Sequence, residues 1–339
     1  MSPIKKILII RLSSLGDILL TSPLLREIKN RFPDCKIDFV IKKEFIQAIE
    51  FNPNLNNILL YEANNVNSLK KKFNSANYDY ILDLQNNFRS RQLLKGMKSE
   101  VQRILRIYKF KKPTFKKFLL VNFKINLLKD KVSIAQRYVN TFPLIKSTDL
   151  QLDFHYPIDK DADADSIFPR NLIGKKILGI CPGSKHLTKR YPTELFAKLI
   201  KNLSSLDYSI FLFGGIDDKM ICTELADNSR IFNFQNDNDL YLTAAMMKKC
   251  SAVISNDSAL MHLSCALNVP TAAIFGSTVS EFGFFPLNKK SVIIENNDLN
   301  CRPCTHIGRN DCPKKHFKCM KDISPNMVIS KLQPLMKNE

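Results

Sequence analysis

Short apolar runs that end in small polar turns recur through this chain, and each leads into a stretch with helical spacing. That alternation constrains the fold more than any other feature. Strand, turn, helix, strand is the βαβ unit, and repeated units assemble a mostly parallel sheet with helices on both faces. The clearest instance lies late in the chain. Ser251-Ala-Val-Ile-Ser reads as a buried strand, Asn256-Asp257-Ser258 as the turn, and residues 260–267 as a helix closed by Asn268-Val-Pro270. Thr271-Ala-Ala-Ile-Phe is the next strand and ends at Gly276. Such a turn opens at the carboxyl edge of a sheet, where unpaired helical N–H groups and the helix dipole favour an anion. Ser258 adds a hydroxyl, and His262 follows one helical turn later on the same face. Two readings fit these residues: a seat for an anion, or a helix capped by Asp257 or Ser258 with a packed histidine.

The pattern runs through the chain as two series. In the first, residues 5–12 form a strand, Ser13-Ser14-Leu15-Gly16-Asp17 a turn, and residues 18–31 have helical spacing. Pro23 marks either a kink in that helix or its true start near Ser22. Strands follow at 36–41, 57–61 and 78–84, then helices across the basic middle of the chain and a helix at 134–142. In the second series, a strand at 176–181 leads to Pro182-Gly183-Ser184, a charged loop and Lys189-Arg190-Tyr191-Pro192, with Pro192 in the first turn of a helix to 203. A strand at 208–213 ends in Gly214-Gly215-Ile216-Asp217-Asp218, followed by a helix from 219, a strand at 230–234 and a helix at 239–249. The expected architecture is α/β, with two Rossmann-like domains facing each other across a cleft. Their limits are set at 1–165 and 170–322, with a C-terminal helix in 323–339 packing back on the body. The polar run at 159–166 reads as the link. Its Asp161-x-Asp163-x-Asp165 has the spacing of a divalent-metal motif, but in a linker it reads as a solvated acidic segment.

At 339 residues the chain is comfortable for two cores. No stretch approaches the roughly 18 unbroken apolar residues of a transmembrane helix. The N-terminus runs straight into a strand, so a cytoplasmic protein is expected. Nine cysteines, an odd number, fit a reducing compartment better than a disulfide framework. The net charge of +19 is concentrated in part between Arg89 and Lys131, with fourteen Lys or Arg and only two acids, Glu100 and Asp130. Phe110, Phe115, Phe118 and Phe123 are interleaved there. Such a mixture suits an anionic membrane surface, nucleic acid, or simply a solvated basic face. No nucleic-acid-binding signature accompanies it, and no nucleic-acid partner is expected. Near the C-terminus, Cys301, Cys304, Cys312 and Cys319 lie close to His306 and His316. A zinc site and free thiols are both open.

Four second-half turns share one character: Gly183-Ser184, Gly214-Gly215, Asp257-Ser258-Ala259 and Gly276-Ser277-Thr278 each bring backbone N–H groups to a strand end. With Lys189 nearby, a diphosphate suits them, although ordinary strand-end turns would look the same. Neither a Gly-x-Gly-x-x-Gly nor a Gly-x-x-x-x-Gly-Lys-Ser/Thr motif is present, which argues against a dinucleotide oxidoreductase and a P-loop ATPase. In the first series Asp17 is the candidate base: it follows a strand end, and a carboxylate there can take a proton from a hydroxyl. The competing reading makes it a helix N-cap.

These residues carry a resemblance. Ile9-Ile-Arg-Leu-Ser-Ser-Leu-Gly-Asp-Ile-Leu-Leu-Thr-Ser-Pro, Lys189-Arg-Tyr-Pro, Asn256-Asp-Ser-Ala-Leu-Met-His and Phe275-Gly-Ser-Thr resemble, in order, motifs of glycosyltransferase family 9. These are the ADP-heptose:lipopolysaccharide heptosyltransferases, and the heptosyltransferase II type is the nearest. The resemblance implies a GT-B fold and an inverting, metal-independent transfer from ADP-heptose to a lipid-anchored lipopolysaccharide inner core, with no cofactor. The enzyme would work peripherally at the inner face of the cytoplasmic membrane, its basic Arg89–Lys131 region against the anionic surface. By motif, Asp17 becomes the general base and Lys189 the cation on the departing diphosphate. Ser13, Ser14, Ser184, Asp218, Asp257, Ser258, Ala259 and His262 line the donor. Ala259 stands where the family has glycine, and Tyr191 where it has tryptophan. Transfer from a different nucleotide sugar and a non-catalytic binding protein on the same fold are the alternatives.

Overall fold

The structure is a computed structural model that describes residues 4–97, 106–226 and 230–336. It divides into two compact units, Met1–Lys112 with Ile134–Tyr156, and Pro113–Ser133 with Pro157–Glu339.

The first unit contains β1 (Lys6–Ile10), α1 (Leu15–Leu19), α2 (Ser22–Arg31), β2 (Lys36–Ile41), β3 (Asn57–Leu60), α3 (Val66–Ser75), β4 (Tyr80–Asp83), α4 (Phe88–Leu94) and β5 (Arg106–Lys109). Its sheet is entirely parallel, in the order β3-β2-β1-β4-β5. A sheet covered by helices on both faces needs apolar residues on both, and Ile7 to Ile10 are accordingly all buried. Of the two readings for Pro23, a true helix start near Ser22 is the one found, with a separate short helix ahead of it. A short α1 holds Asp17, and α2 restarts with Pro23 in its first turn, where a missing N–H costs nothing.

α5 (Thr114–Phe123) belongs to the second unit, and α6 (Ile134–Val139) returns to the first. The reason is packing. Leu120 on α5 and Leu128 beyond it bury against Phe282, and Lys124 Nζ donates to the carbonyls of Cys301 and Pro303. The basic stretch is therefore shared between the two units and includes strand β5 as well as helices. Residues 98–105 within it lie outside the described residues.

The second unit continues with α7 (Asp159–Ile167), β6 (Ile177–Cys181), α8 (Thr193–Ser205), β7 (Ser209–Leu212), α9 (Lys219–Leu225), β8 (Ile231–Asn233), α10 (Leu240–Met247), β9 (Ala252–Asn256), α11 (Ala259–Ala266), β10 (Thr271–Phe275), β11 (Ser291–Glu295), α12 (Lys318–Lys321) and α13 (Pro325–Met336). Its sheet is parallel too, in the order β11-β10-β9-β6-β7-β8. The acidic run read as a link is helix α7. Ala164 is buried, and Lys249 beyond α10 pairs with Asp165, so the acids are used in ion pairs rather than left as a solvated tether. The chain crosses between units at Tyr156–Pro157, ahead of that helix. Pro192 precedes α8 as its N-cap residue.

Each sheet changes direction once. In the first, β1 and β4 flank the switch; in the second, β6 and β9 do. Loops at the carboxyl ends of such strand pairs diverge and leave the crevice in which α/β sheets bind ligands. Helix α13 closes the second core by burying Val328 and Leu332 with residues of α8, β10 and β11. Leu332→Ala should therefore cost about 2–5 kcal/mol through the cavity it leaves. The measurement is the midpoint of the second unit's transition in urea denaturation of the whole chain.

Candidate active site

The residues proposed for chemistry fall at these two switch points, one in each unit. In the first, β1 ends at Ile10 and the chain passes through Arg11–Ser14 into α1, with Asp17 in its first turn. Asp17 is not an N-cap. Its Oδ2 accepts from Ser14 Oγ at 2.8 Å and Ser14 N at 3.4 Å, and pairs with Arg11 Nη2 at 2.8 Å. Its Oδ1 accepts from Tyr138 Oη at 3.2 Å. Arg11 is itself fixed by donating Nη1 to the Leu84 carbonyl at 2.8 Å, and its guanidinium lies over the Tyr138 ring. Burial alone would push the Asp17 carboxyl up; Arg11, Ser14 and Tyr138 overcome it and hold the group below the ordinary carboxylate value. Burial also pushes the Tyr138 phenol well up, so it stays a donor.

The result is a carboxylate that is ionised at neutral pH and fixed in direction. An ionised carboxyl has about four acceptor sites, and the contacts on Oδ1 leave one open. An incoming hydroxyl can hydrogen-bond there and give up its proton. Asp83, buried at the end of neighbouring β4, adds a second negative charge near Arg11. Its carboxyl is pushed up by burial, although Asn86 N and Ser90 Oγ hydrogen-bond to it. Ser14, expected at the donor, is engaged with Asp17 instead. At Ser13 it is the backbone N–H that is held, by Gln85 Oε1 at 3.3 Å, next to the Leu12 N–H on the same oxygen.

In the second unit, the opening turn after β9 is organised by two carbonyl-bearing side chains. Asn256 Nδ2 donates to the Pro182 carbonyl at 2.7 Å, and its Oδ1 accepts from Tyr191 N at 2.9 Å. One buried side chain thus joins the ends of β6 and β9 to the Lys189–Pro192 segment. Asp257 does not cap α11. Its Oδ2 pairs with Lys189 Nζ at 2.7 Å and accepts from Thr278 Oγ1 at 2.7 Å. Ser258 is the N-cap residue by position, but its hydroxyl meets Ser255 Oγ at 3.3 Å rather than a helical N–H. The first N–H groups of α11, beginning at Ala259, therefore have no side-chain cap. Ser184 is buried, with Oγ at 3.4 Å from the Asp257 carbonyl, and Arg190 Nε donates to the Ser184 carbonyl at 2.5 Å.

Asp218 lies against Gly183, where an added Cβ would come within 2.0 Å of its carboxylate. It accepts from Gly215 N at 3.2 Å, so it ties the turns after β6 and β7 together. Burial pushes its carboxyl up. His262 is buried beside the Phe284 ring, at 6.5 Å between centroids. Tyr191 is a core residue: it is 1 % exposed, packs edge-on against Phe196, and donates its hydroxyl to the Ile323 carbonyl. It offers no stacking platform.

The structure thus gathers Ser184, Lys189, Asp218, Asp257, Ser258 and Ala259 about one sheet edge, and Ser14 with Asp17 about the other. Sequence reasoning missed Arg11, Tyr138, Asn256 and Thr278 as site residues. Arg11 and Asn256 stood inside the quoted motifs and Thr278 in a recognised turn, so each had a local signal. Tyr138, 121 residues from Asp17, had none. All nine cysteines are free thiols, and Cys301 Sγ lies 3.8 Å from His316 Nε2. Among the described residues no group of three or more His, Cys, Asp or Glu is arranged to hold a metal ion.

A family model described as glycosyltransferase family 9 (heptosyltransferase) matches residues 66–315. This chain is a glycosyltransferase and belongs to that family. Among curated relatives, lipooligosaccharide heptosyltransferase 2 of Campylobacter jejuni is 29% identical over 336 residues, 96% of each chain, which takes in the Asp17 segment. The enzyme of the same name from Haemophilus ducreyi is 26% identical over 364 residues, covering 98% of this chain and 99% of the relative. Among solved structures, E. coli ADP-heptose lps heptosyltransferase II superposes with a TM-score of 0.74 at 22% identity, over 98% of both chains. A family 9 transferase from Veillonella parvula gives 0.78 at 21%, over 99% and 98%. The α/β fold with two parallel sheets is that of the GT-B heptosyltransferases.

The Arg11–Asp17 pair ties the stability of the first unit to pH. Because the folded Asp17 carboxyl is held below its unfolded value, it stabilises the unit above the ordinary carboxylate range, and that stability is lost as pH falls through the lowered value. In Arg11→Met the largest opposition to burial is gone and only the Ser14 and Tyr138 hydrogen bonds remain, so the folded carboxyl should rise above its unfolded value. The variant should lose about 3–5 kcal/mol near pH 7. Part of that loss, taken as the difference from wild type at the same pH, should be recovered on moving to about pH 5. Denaturation at the two pH values checks it.

Proposed function

We propose that this transferase moves heptose from ADP-heptose, with inversion and without a catalytic metal, onto the inner core of a lipid-anchored lipopolysaccharide or lipooligosaccharide acceptor. Its place is the inner face of the cytoplasmic membrane. The observation that carries the reading is Asp17: a carboxylate kept ionised and aimed by Arg11, Ser14 and Tyr138, in the motif that resembles the family's opening segment. In this reading Asp17 takes the acceptor hydroxyl's proton as the oxygen attacks the sugar carbon from the side opposite the diphosphate. One displacement at that carbon inverts it.

The second unit seats the donor. The uncapped N-terminus of α11 and the Gly183-Ser184 and Gly214-Gly215 turns offer backbone N–H groups to the two phosphates. Lys189 meets the charge that develops on the departing ADP. Since Lys189 is already paired with Asp257, the carboxylate positions the ammonium, and Thr278 positions the carboxylate. Ser258 and His262 belong to the sugar end of this site, and Asp218 braces the turns around it. Names of relatives support the donor and acceptor classes: C. jejuni and H. ducreyi lipooligosaccharide heptosyltransferase 2 span nearly the whole chain, and E. coli heptosyltransferase WaaC is known with ADP-2-deoxy-2-fluoro heptose.

Two measurements test this. A thermal-shift panel of ADP, GDP, UDP and CMP sugars should show stabilisation by ADP-heptose above the others. Preference for another nucleotide would replace the donor and keep the reaction type; no response to any would remove the donor seat. Asp17→Asn should lower turnover by about 10²–10⁴-fold while leaving the ADP-heptose shift in place. Turnover near that of wild type would exclude Asp17 as the base.

A further inference from the structure

Helix α5 exposes more apolar surface than its packing explains. Lys117, Leu120, Val121 and Lys124 follow helical spacing and form the inward stripe. Leu120 and Val121 join the cluster with Phe282, Lys117 Nζ lies 5.4 Å and 5.5 Å from the Phe282 and Phe284 ring centroids, and Lys124 Nζ reaches the Pro303 carbonyl at 2.7 Å. The seat is therefore fully used. Yet on the other side Phe115 is 70% exposed, Phe118 52% and Phe123 61%, with Ile125 and Leu127 at 49% each just beyond the helix. Phe118 and Phe123 touch edge to face at 5.9 Å, so these side chains form a patch rather than scattered single exposures. A folded monomer gains nothing from such a patch, and contiguous exposed apolar surface marks a contact to be made.

Charge says with what. Residues 111–129 hold six lysines and no acid. Within the second unit, Lys116 is exposed among the phenylalanines of the helix and Lys129 is exposed beyond it. Aromatic rings that sit at the depth of the headgroups, ringed by lysines that meet their phosphates, are what an anionic bilayer surface binds. Among the described residues no helix is long and apolar enough to cross a membrane, so the contact is peripheral.

We propose that α5 is the element with which this transferase docks on an anionic membrane, its Phe115–Phe118–Phe123 face entering the interface and Lys116 on the headgroups. The inference deepens the membrane-side reading above and rests on it for its purpose. It narrows that contact from the broad basic region to one helix. The helix is seated on Phe282, four residues after Thr278, so the docking element is carried by the same unit as the donor turns.

The test uses the full chain and vesicles of phosphatidylcholine with or without about a third phosphatidylglycerol. Wild type should co-sediment with the anionic vesicles and not with the neutral ones. The triple variant Phe115→Ser/Phe118→Ser/Phe123→Ser and the charge-reversing variant Lys116→Glu should each lower partitioning by about tenfold or more. Both should keep the wild-type thermal shift with ADP-heptose, which shows that they fold and reads the donor site independently. Transfer to a vesicle-borne acceptor should fall with binding, and transfer to a deacylated soluble acceptor should not. Wild-type binding by the phenylalanine variant would overturn the proposal, since lysines elsewhere would then suffice. It would also be overturned if wild type ignored anionic vesicles, or if the patch instead mediated self-association or oligonucleotide binding that the triple variant abolished.

Discussion

The first unit's site depends on one buried ion pair. Arg11 and Asp17 stand at the carboxyl end of β1, and neither would be tolerable in that place alone. An isolated buried carboxylate protonates, and an isolated buried guanidinium has no charge to answer it. Together, with Ser14 and Tyr138 taking further acceptor positions, they keep a negative charge where the sheet's switch point would admit a hydroxyl. The cost of desolvation is met by hydrogen bonds that also fix the carboxylate's direction. A weakened base in a fixed direction is the arrangement obtained, and orientation is what it contributes.

The second unit uses the same principle with a different charge in the exposed role. Asp257 is buried and answers Lys189, Thr278 answers Asp257, and Asn256 holds the three turns in register. The helix N-terminus is left uncapped because the residues that would have capped it are occupied. Ser258 turns to Ser255, and Asp257 to the lysine. Backbone N–H groups with no side-chain partner are the physical basis for an anion seat. Ala259 is the first residue of α11, and Tyr191 goes into the core, where its hydroxyl finds the Ile323 carbonyl.

Much of this was legible beforehand. Strand–helix alternation of period 2 and 3.6 depends on neighbours in sequence, so the parallel sheets, their turns and most of the strands could be read directly. Asp17, Lys189 and the Asp257–Ser258 turn were singled out because chemistry-bearing residues followed strand ends. Where the reading departed, a tertiary contact was responsible. The acidic run at 159–166 is helix α7, which packs on α10 and buries Ala164, with Lys249 paired to Asp165. Residues 113–133 joined the second unit because Leu120 and Leu128 found Phe282.

The sequence by itself determined the fold class, the order of the two sheets and the identity of the groups at their carboxyl edges, since these follow from local periodicity and from where small polar residues interrupt it. Only the tertiary structure decided what those groups do. Asp17 returns a hydrogen bond to the Ser14 N–H at the start of α1, and Arg11 and Tyr138 add the contacts that fix its charge and direction. Tyr138 is 121 residues away and is brought there by α6. Whether Asp257 caps α11 or positions Lys189 depends on Thr278, from the next strand. Protonation, direction and freedom to meet a ligand are set by burial and by partners across space, and a linear pattern carries neither.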